Sequence, residues 1–125
     1  MKCRSRSPLP VAAVALILLS LLGGCAAGSG GTAAASRVAT SKVDLPPSYK
    51  FVPPAIAVAV GTTVTWTNND HFTHSVQFLD GGLPSKPLVM EPGQSATFTF
   101  VGPGLYHYQC HLHPQNMRGS VTVSP

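Results

Sequence analysis

A thiol, two imidazoles and a thioether lie close together in the segment Cys110-His111-Leu112-His113-Pro114-Gln115-Asn116-Met117. A further imidazole is available upstream, at His71 or His74. One cysteine, two histidines and one weakly bound methionine are the donors of a mononuclear type 1 copper centre, which carries single electrons. The residue types therefore indicate one-electron chemistry at copper.

The spacing within this segment suits a loop that binds a metal between two strands. Cys110 ends an alternating stretch, and His113 follows across a bend that Pro114 helps to fix, because its ring restricts φ. Met117 lies just before the chain resumes an extended pattern. The remaining donor must come from elsewhere in the fold, and His74 begins another strand-like stretch.

The elements that position these residues are predicted to be β-strands. Short runs from about residue 44 onward alternate between apolar and other side chains, and Gly- and Pro-containing turns separate them. No stretch after residue 24 shows helical periodicity, so the pattern predicts an all-β sandwich or barrel. The alternating positions are Ile56, Val58 and Val60; Val64 and Trp66; Val76 and Phe78; Phe98 and Phe100; Tyr106, Tyr108 and Cys110; and Val121 and Val123.

Residues 1–24 have the features of an export signal. Three basic residues precede the apolar run 11–22, which has signal-peptide length and is too short for a membrane-spanning helix. The run ends in Leu22-Gly23-Gly24-Cys25, which resembles a bacterial lipobox, where the signal is cleaved before the cysteine and the cysteine is acylated. We expect a lipoprotein signal peptide over residues 1–24 and lipidation of Cys25. The alternative is an ordinary secretory signal cleaved after Ala27.

The rest of the chain is predicted to contain a tether and one domain. Residues 25–43 combine the lipidated cysteine with small, mostly neutral side chains that cannot bury a core, so we expect a flexible tether. Residues 44–125 remain for a single domain, which is enough for one compact core.

The charge of the chain comes mostly from the export signal. The whole chain carries a formal charge of +4, but five basic and four acidic residues remain once residues 1–24 are removed. A domain so close to neutrality gives no support for nucleic-acid binding and offers no strongly charged docking face.

Cys110 would be the one free cysteine of the exported domain. Cys3 would leave with the signal and Cys25 would carry lipid. A lone thiol in an oxidising compartment is a liability unless something occupies it, and metal ligation does so. A buried, inert cysteine is the alternative interpretation.

Other uses of these residues fit less well. A zinc site would favour more thiolates or a closed set of histidines. A c-type haem requires a Cys-x-x-Cys-His motif, which the sequence lacks. A Cys–His nucleophile would leave Met117 without a role, so we do not expect an enzyme. The strand parity of His107 and His111 is opposite to that of Cys110, so both are expected to face away from the metal.

Separated motifs resemble those of cupredoxins of the plastocyanin/amicyanin type, in order and in spacing. They are Val64-Thr65-Trp66-Thr67-Asn68-Asn69-Asp70, His74-Ser75-Val76, Gly104-Leu105-Tyr106-His107-Tyr108-Gln109-Cys110, and His113-Pro114 with Met117-Arg118-Gly119. The resemblance covers residues 44 to 125 and implies an eight-stranded Greek-key β-sandwich with copper at one end. It also implies a ligand set, which consists of His74, Cys110, His113 and Met117.

Two positions depart from the family pattern. The loop reads Cys-x2-His-x3-Met, which is one residue longer than the amicyanin form and one shorter than the plastocyanin form. Loop length affects the axial distance and the outer hydrogen bonds, so the reduction potential of relatives does not carry over. Ser75 follows the first histidine, where many members have an asparagine that helps to lock the ligand loop.

The resemblance implies a monomeric one-electron carrier, and the expected lipidation of Cys25 would anchor it at the outer face of a bacterial membrane. It would exchange electrons with redox partner proteins, respiratory ones among them, through the exposed edge of His113. Leu112 and Pro114 would contribute to the docking patch. The alternative is a surface module that stores or delivers copper. The complete ligand set and the scarcity of methionine elsewhere favour the carrier.

Overall fold

The computed structural model describes residues 36–125, in which nine β-strands and no helix occur. Within this range no helix is present that could cross a membrane. The predicted signal peptide, the lipidated Cys25 and most of the predicted tether lie outside the described residues. The strands are β1 (Val38–Ala39), β2 (Lys42–Leu45), β3 (Ala55–Ala59), β4 (Thr63–Asn68), β5 (His74–Phe78), β6 (Leu88–Met90), β7 (Ser95–Thr99), β8 (Gly104–Gln109) and β9 (Arg118–Ser124).

Two sheets form the domain, and the predicted all-β sandwich is confirmed. One sheet has the strand order β1-β3-β9-β8-β5-β6, and the other has the order β2-β4-β7. Consecutive strands often lie in different sheets, so β4 pairs with β7 and β5 pairs with β8. These crossovers between the sheets are those of a Greek-key sandwich.

The folded domain begins before residue 44, the boundary expected between tether and domain. Val38 lies opposite Ile56 in a parallel pair of strands, and Val43 lies opposite Trp66. Val43 is only 1% exposed. Val38 and Val43 each stand alone among small and polar residues, so the sequence shows no alternating pattern there. Strands β1 and β2 form because they pair with β3 and β4. The short β1 also brings the strands of residues 36–125 to nine, against the eight implied by the resemblance.

Aromatic packing beneath β8 supports the strand that leads to Cys110. The ring of Tyr108 lies edge-on to Trp66, with centroids 5.4 Å apart, and edge-on to Phe51, with centroids 4.8 Å apart. All three side chains are buried, as the alternation predicted for Trp66 and Tyr108. Such edge-to-face pairs add to the free energy gained by burial alone, so the end of β8 is firmly held.

Gly119 in β9 permits this packing. It lies directly opposite Tyr108 in the antiparallel pair of β8 and β9. A Cβ atom at Gly119 would overlap the phenol ring of Tyr108. The ring of Tyr108 can therefore lie against β9 only because Gly119 has no side chain.

Candidate metal centre

Three donor atoms converge at one end of the sandwich. Sγ of Cys110 lies 3.9 Å from Nδ1 of His74 and 3.6 Å from Nδ1 of His113. The ligand atoms of the three residues all lie within 4.8 Å of one another. Donors bound at about 2.0–2.3 Å to one metal in a trigonal plane would be ~3.7 Å apart. The observed separations therefore fit a single metal ion held by all three residues.

The pairing of β5 with β8 brings His74 and Cys110 to the same end of the sheet. These strands are antiparallel, with Gln77 opposite Gln109. The first residue of β5 is His74, and the residue after β8 is Cys110, so both lie at the end where the ligand loop begins.

Backbone hydrogen bonds close the loop that carries the other donors. The N–H of His113 donates to the carbonyl of Cys110 at 3.2 Å, and the N–H of Met117 donates to the carbonyl of His113 at 3.0 Å. The N–H of Cys110 donates back to the carbonyl of Met117 at 3.0 Å. Met117 is fully buried and belongs to the same core as Cys110.

A buried carboxylate holds the outer nitrogen of His74. Nε2 of His74 lies 2.8 Å from Oδ2 of Asp70, and Oδ1 of Asp70 accepts the N–H of His71 at 2.6 Å. The hydrogen bond with His74 lowers the pKa of the Asp70 carboxyl, which is therefore ionised. A carboxylate in this position fixes the ring orientation of a metal-binding histidine and raises its basicity. Asp70 stands four residues before His74 in the sequence, but no local pattern predicted this contact.

His113 differs from the other donors because its side chain is partly exposed. Partial burial lowers the pKa of His113, and the neighbouring His74 lowers it further, while Asp70 acts in the opposite direction. A lowered pKa favours the neutral imidazole, which is the form that binds a metal. His74, Cys110 and Met117 are fully buried.

An aromatic pair that sequence analysis missed lies against the two histidines. The ring of Tyr49 is 4.8 Å from that of His113 and 5.8 Å from that of His74, measured between centroids. Phe72 stacks on Tyr49 with centroids 5.8 Å apart, and Phe72 is 55% exposed. We call Tyr49 and Phe72 the aromatic cap. Tyr49 has a φ of 52°, a left-handed conformation that few residues other than glycine adopt.

Ser75 ties the ligand loop to β5. Its N–H donates to Sγ of Cys110 at 3.4 Å, and its hydroxyl accepts the N–H of His111 at 3.1 Å. Nδ1 of His111 lies 2.6 Å from the same hydroxyl. His111 is not part of the cluster of converging donors, as expected, but it contacts a buried serine next to that cluster.

The remaining histidines lie at the surface of the described domain. His71 and His107 are both exposed, and Nδ1 of His107 lies 3.3 Å from Oδ2 of Asp80. Neither belongs to the cluster formed by His74, Cys110 and His113.

A small β-sandwich with a buried cysteine sulfur and two imidazoles at one end defines a mononuclear copper protein of the cupredoxin type. The family described as copper binding proteins, plastocyanin/azurin family, matches residues 39–124. The chain belongs to this family, and one type 1 copper ion is its cofactor. The resemblance predicted from the motifs is thereby confirmed.

Individual relatives agree with this assignment. Amicyanin of Paracoccus denitrificans is 40% identical over 77 residues, which cover 59% of this chain and 58% of amicyanin. Chloroplastic plastocyanin of Physcomitrium patens is 36% identical over 84 residues, which cover 59% of this chain and 50% of that protein. The match thus spans 58% and 50% of the length of these two relatives.

Solved structures show the same fold. A purple cupredoxin from Nitrosopumilus maritimus aligns with a TM-score of 0.61 and 31% identity, covering 68% of this chain and all of that one. An amicyanin variant in its Cu(I) form aligns with a TM-score of 0.60 and 37% identity, covering 66% of this chain and 80% of that one.

Proposed function

We propose that the protein is a one-electron carrier rather than an enzyme, with one copper ion held by His74, Cys110, His113 and Met117. The observation that supports this most directly is the convergence of the Cys110 sulfur with Nδ1 of both histidines, at 3.9 and 3.6 Å. Copper bound there supplies a Cu(II)/Cu(I) couple, and a thiolate with two imidazoles and a weak thioether suits both oxidation states.

The protein contributes rigidity to this site. The backbone hydrogen bonds of the ligand loop and the buried pair of His74 and Asp70 hold the donors in place. Ligand atoms that stay in place when copper changes its oxidation state reduce the reorganisation energy of electron transfer. Burial of Cys110 and Met117 also excludes water from the site.

The partly exposed His113 is the route by which an electron enters and leaves. The other proposed ligands are fully buried, so the imidazole of His113 connects the site to the surface through the fewest atoms. Phe72 and Leu112 are 55% and 47% exposed, and they give this end of the domain an apolar character. We propose that a redox partner protein docks here, mainly through apolar contacts.

The location follows from the expected lipoprotein signal. Acylation of Cys25 would anchor a monomeric carrier to the outer face of a bacterial membrane, close to membrane-bound donors and acceptors. Mass spectrometry of the protein purified from a membrane fraction tests this directly. A diacylglyceryl group on Cys25 supports the anchor, and an unmodified chain that begins after Ala27 contradicts it.

Copper retention separates a carrier from a module that stores or delivers copper. The copper-loaded protein is cycled between reductant and oxidant in the presence of an excess of a Cu(I) chelator, and protein-bound copper is measured after each cycle. A carrier with a buried, preformed site keeps its metal through repeated cycles. Transfer of copper to the chelator within the first reduction contradicts the proposal and favours delivery.

A further inference from the structure

His111 is not one of the proposed ligands, yet its ring makes a part-buried contact beside the site. Its Nδ1 atom lies 2.6 Å from the hydroxyl of Ser75, and its backbone N–H donates to the same hydroxyl at 3.1 Å. Ser75 is fully buried, and its hydroxyl lies 3.8 Å from Sγ of Cys110. The serine hydroxyl therefore contacts both an imidazole nitrogen and the Cys110 sulfur.

The hydrogen-bonding capacity of one hydroxyl limits how this arrangement can be satisfied. A serine hydroxyl has one hydrogen to donate and two lone pairs that accept. The N–H of His111 occupies one lone pair. If Nδ1 of His111 also carries a hydrogen, it occupies the second lone pair, and the hydroxyl hydrogen is left for Sγ of Cys110. If Nδ1 carries none, the hydroxyl donates to Nδ1, and the sulfur keeps only the N–H of Ser75.

We propose that His111 is a positioning residue that directs the Ser75 hydroxyl onto the Cys110 sulfur. The chain of hydrogen bonds runs from Nδ1–H of His111 to Oγ of Ser75, and from Oγ–H to Sγ of Cys110. When Cys110 binds copper as a thiolate, this direction is favoured, because a charged sulfur is a stronger acceptor than a neutral imidazole. The consequence for copper rests on the proposed ligation by Cys110.

A second hydrogen bond on the sulfur affects the reduction potential. It withdraws electron density from the thiolate, so the sulfur donates less to copper, and Cu(I) is favoured over Cu(II). We expect Ser75→Ala to lower the ratio of Cu(I) to Cu(II) at a fixed applied potential about tenfold, which is a shift of about 59 mV for a one-electron couple.

The coupling of the two residues is tested by voltammetry of copper-loaded variants. His111→Ala should lower the reduction potential, as Ser75→Ala does. The reduction potential of the double variant should be no lower than that of Ser75→Ala alone. His111→Asn, which places an amide N–H near the position of Nδ1–H, should restore most of the loss. His107→Ala is the matched control, because this exposed imidazole contacts Asp80 instead. An unchanged potential in His111→Ala, or shifts that simply add in the double variant, would overturn the proposal.

Nitrogen-15 NMR of the protein loaded with Cu(I), which is diamagnetic, tests the hydrogen bond in the state in which Cys110 is a thiolate ligand. The spectrum shows which ring nitrogen of His111 carries a hydrogen. A protonated Nδ1 on His111 supports the proposal, and an unprotonated Nδ1 overturns it. A protonated Nδ1 combined with a pale Cu(II) complex would contradict the proposed copper function, while still supporting the hydrogen-bond chain.

Discussion

Nε2 of His74 and Oδ2 of Asp70 lie 2.8 Å apart, and both side chains are almost completely buried. The Asp70 carboxylate therefore fixes which nitrogen of His74 faces Cys110. It also places a negative charge one imidazole away from the proposed metal position. Such a charge stabilises Cu(II) relative to Cu(I), because the higher charge on the metal gains more from it.

Asp70→Asn should weaken copper binding and raise the reduction potential. The amide oxygen can still accept a hydrogen bond from His74, but the negative charge is lost. We expect the affinity for Cu(II) to fall about 10- to 100-fold, as is usual for changes of this kind behind a metal-binding histidine. Competition titration and voltammetry measure the two effects.

Asp80→Asn is the matched control for this experiment, because Asp80 pairs with the exposed His107. Its copper affinity should equal that of the unchanged protein. Equal affinity in Asp70→Asn as well would show that the carboxylate does not support the site.

His113→Gly should retain part of the copper binding and slow electron exchange. The buried donors His74, Cys110 and Met117 remain, but the partly exposed imidazole that connects the site to the surface is lost. Electron self-exchange is measured from the broadening of NMR lines in mixtures of the oxidised and reduced protein. Added imidazole should restore part of the rate.

His71→Gly serves as the control for the loss of an imidazole from an exposed loop, and its exchange rate should not change. If His113→Gly also exchanges electrons at the original rate, His113 is not the route.

Gly119→Ala should destabilise the domain, because the new Cβ would overlap the ring of Tyr108. The side chain of Tyr108 is fully buried in the core, so its ring has little room to move. We expect a loss of about 1–3 kcal/mol in the free energy of unfolding, measured with urea. Gly81→Ala is the control, because a Cβ there meets nothing within 4 Å. Similar losses in both variants would contradict the packing described for Gly119.

Alkaline pH should destabilise the protein through Tyr108. Burial raises the pKa of Tyr108 from 10.0 to about 12 in the folded state, an effect that Trp66 partly offsets. The unfolded chain ionises first, so this contribution to stability is complete below about pH 10 and is lost as the pH rises towards 12. The full loss is about 3 kcal/mol, since each unit of pKa corresponds to about 1.4 kcal/mol.

Urea unfolding at about pH 9 and pH 11.5 measures this loss, with Tyr108→Phe as the comparison. The variant should lose less stability between the two pH values, because the other titrating groups are the same in both proteins. An equal decline would mean that Tyr108 ionises as easily in the folded domain as in the unfolded chain.

Chemically rare residue types made much of the site predictable. Cys110, His113 and Met117 stand in one short segment, and the alternation around Val64 and Trp66 marked a strand whose buried face the structure confirms. Val60 was expected to continue the alternation of Ile56 and Val58 but is 38% exposed, because it lies in the turn after β3.

Contacts that depend on the pairing of distant strands were not predictable from local pattern. Tyr49 lies in an irregular loop, and only the folded chain brings its ring to His113. The parity of His111 predicted that it is not a ligand, but its contact with Ser75 depends on the pairing of β5 with β8. Such contacts join residues far apart in sequence, where no periodicity connects them.

The optical and EPR spectra of the protein with one equivalent of copper(II) test the central claim most directly. If His74, Cys110, His113 and Met117 hold the metal, titration of the metal-free protein should give an intense blue thiolate-to-copper band and narrow copper hyperfine splitting. Cys110→Ser, which replaces the sulfur donor, should abolish the band. A pale solution with the wide hyperfine splitting of ordinary tetragonal copper would show that Cys110 is not a ligand, and would contradict the account.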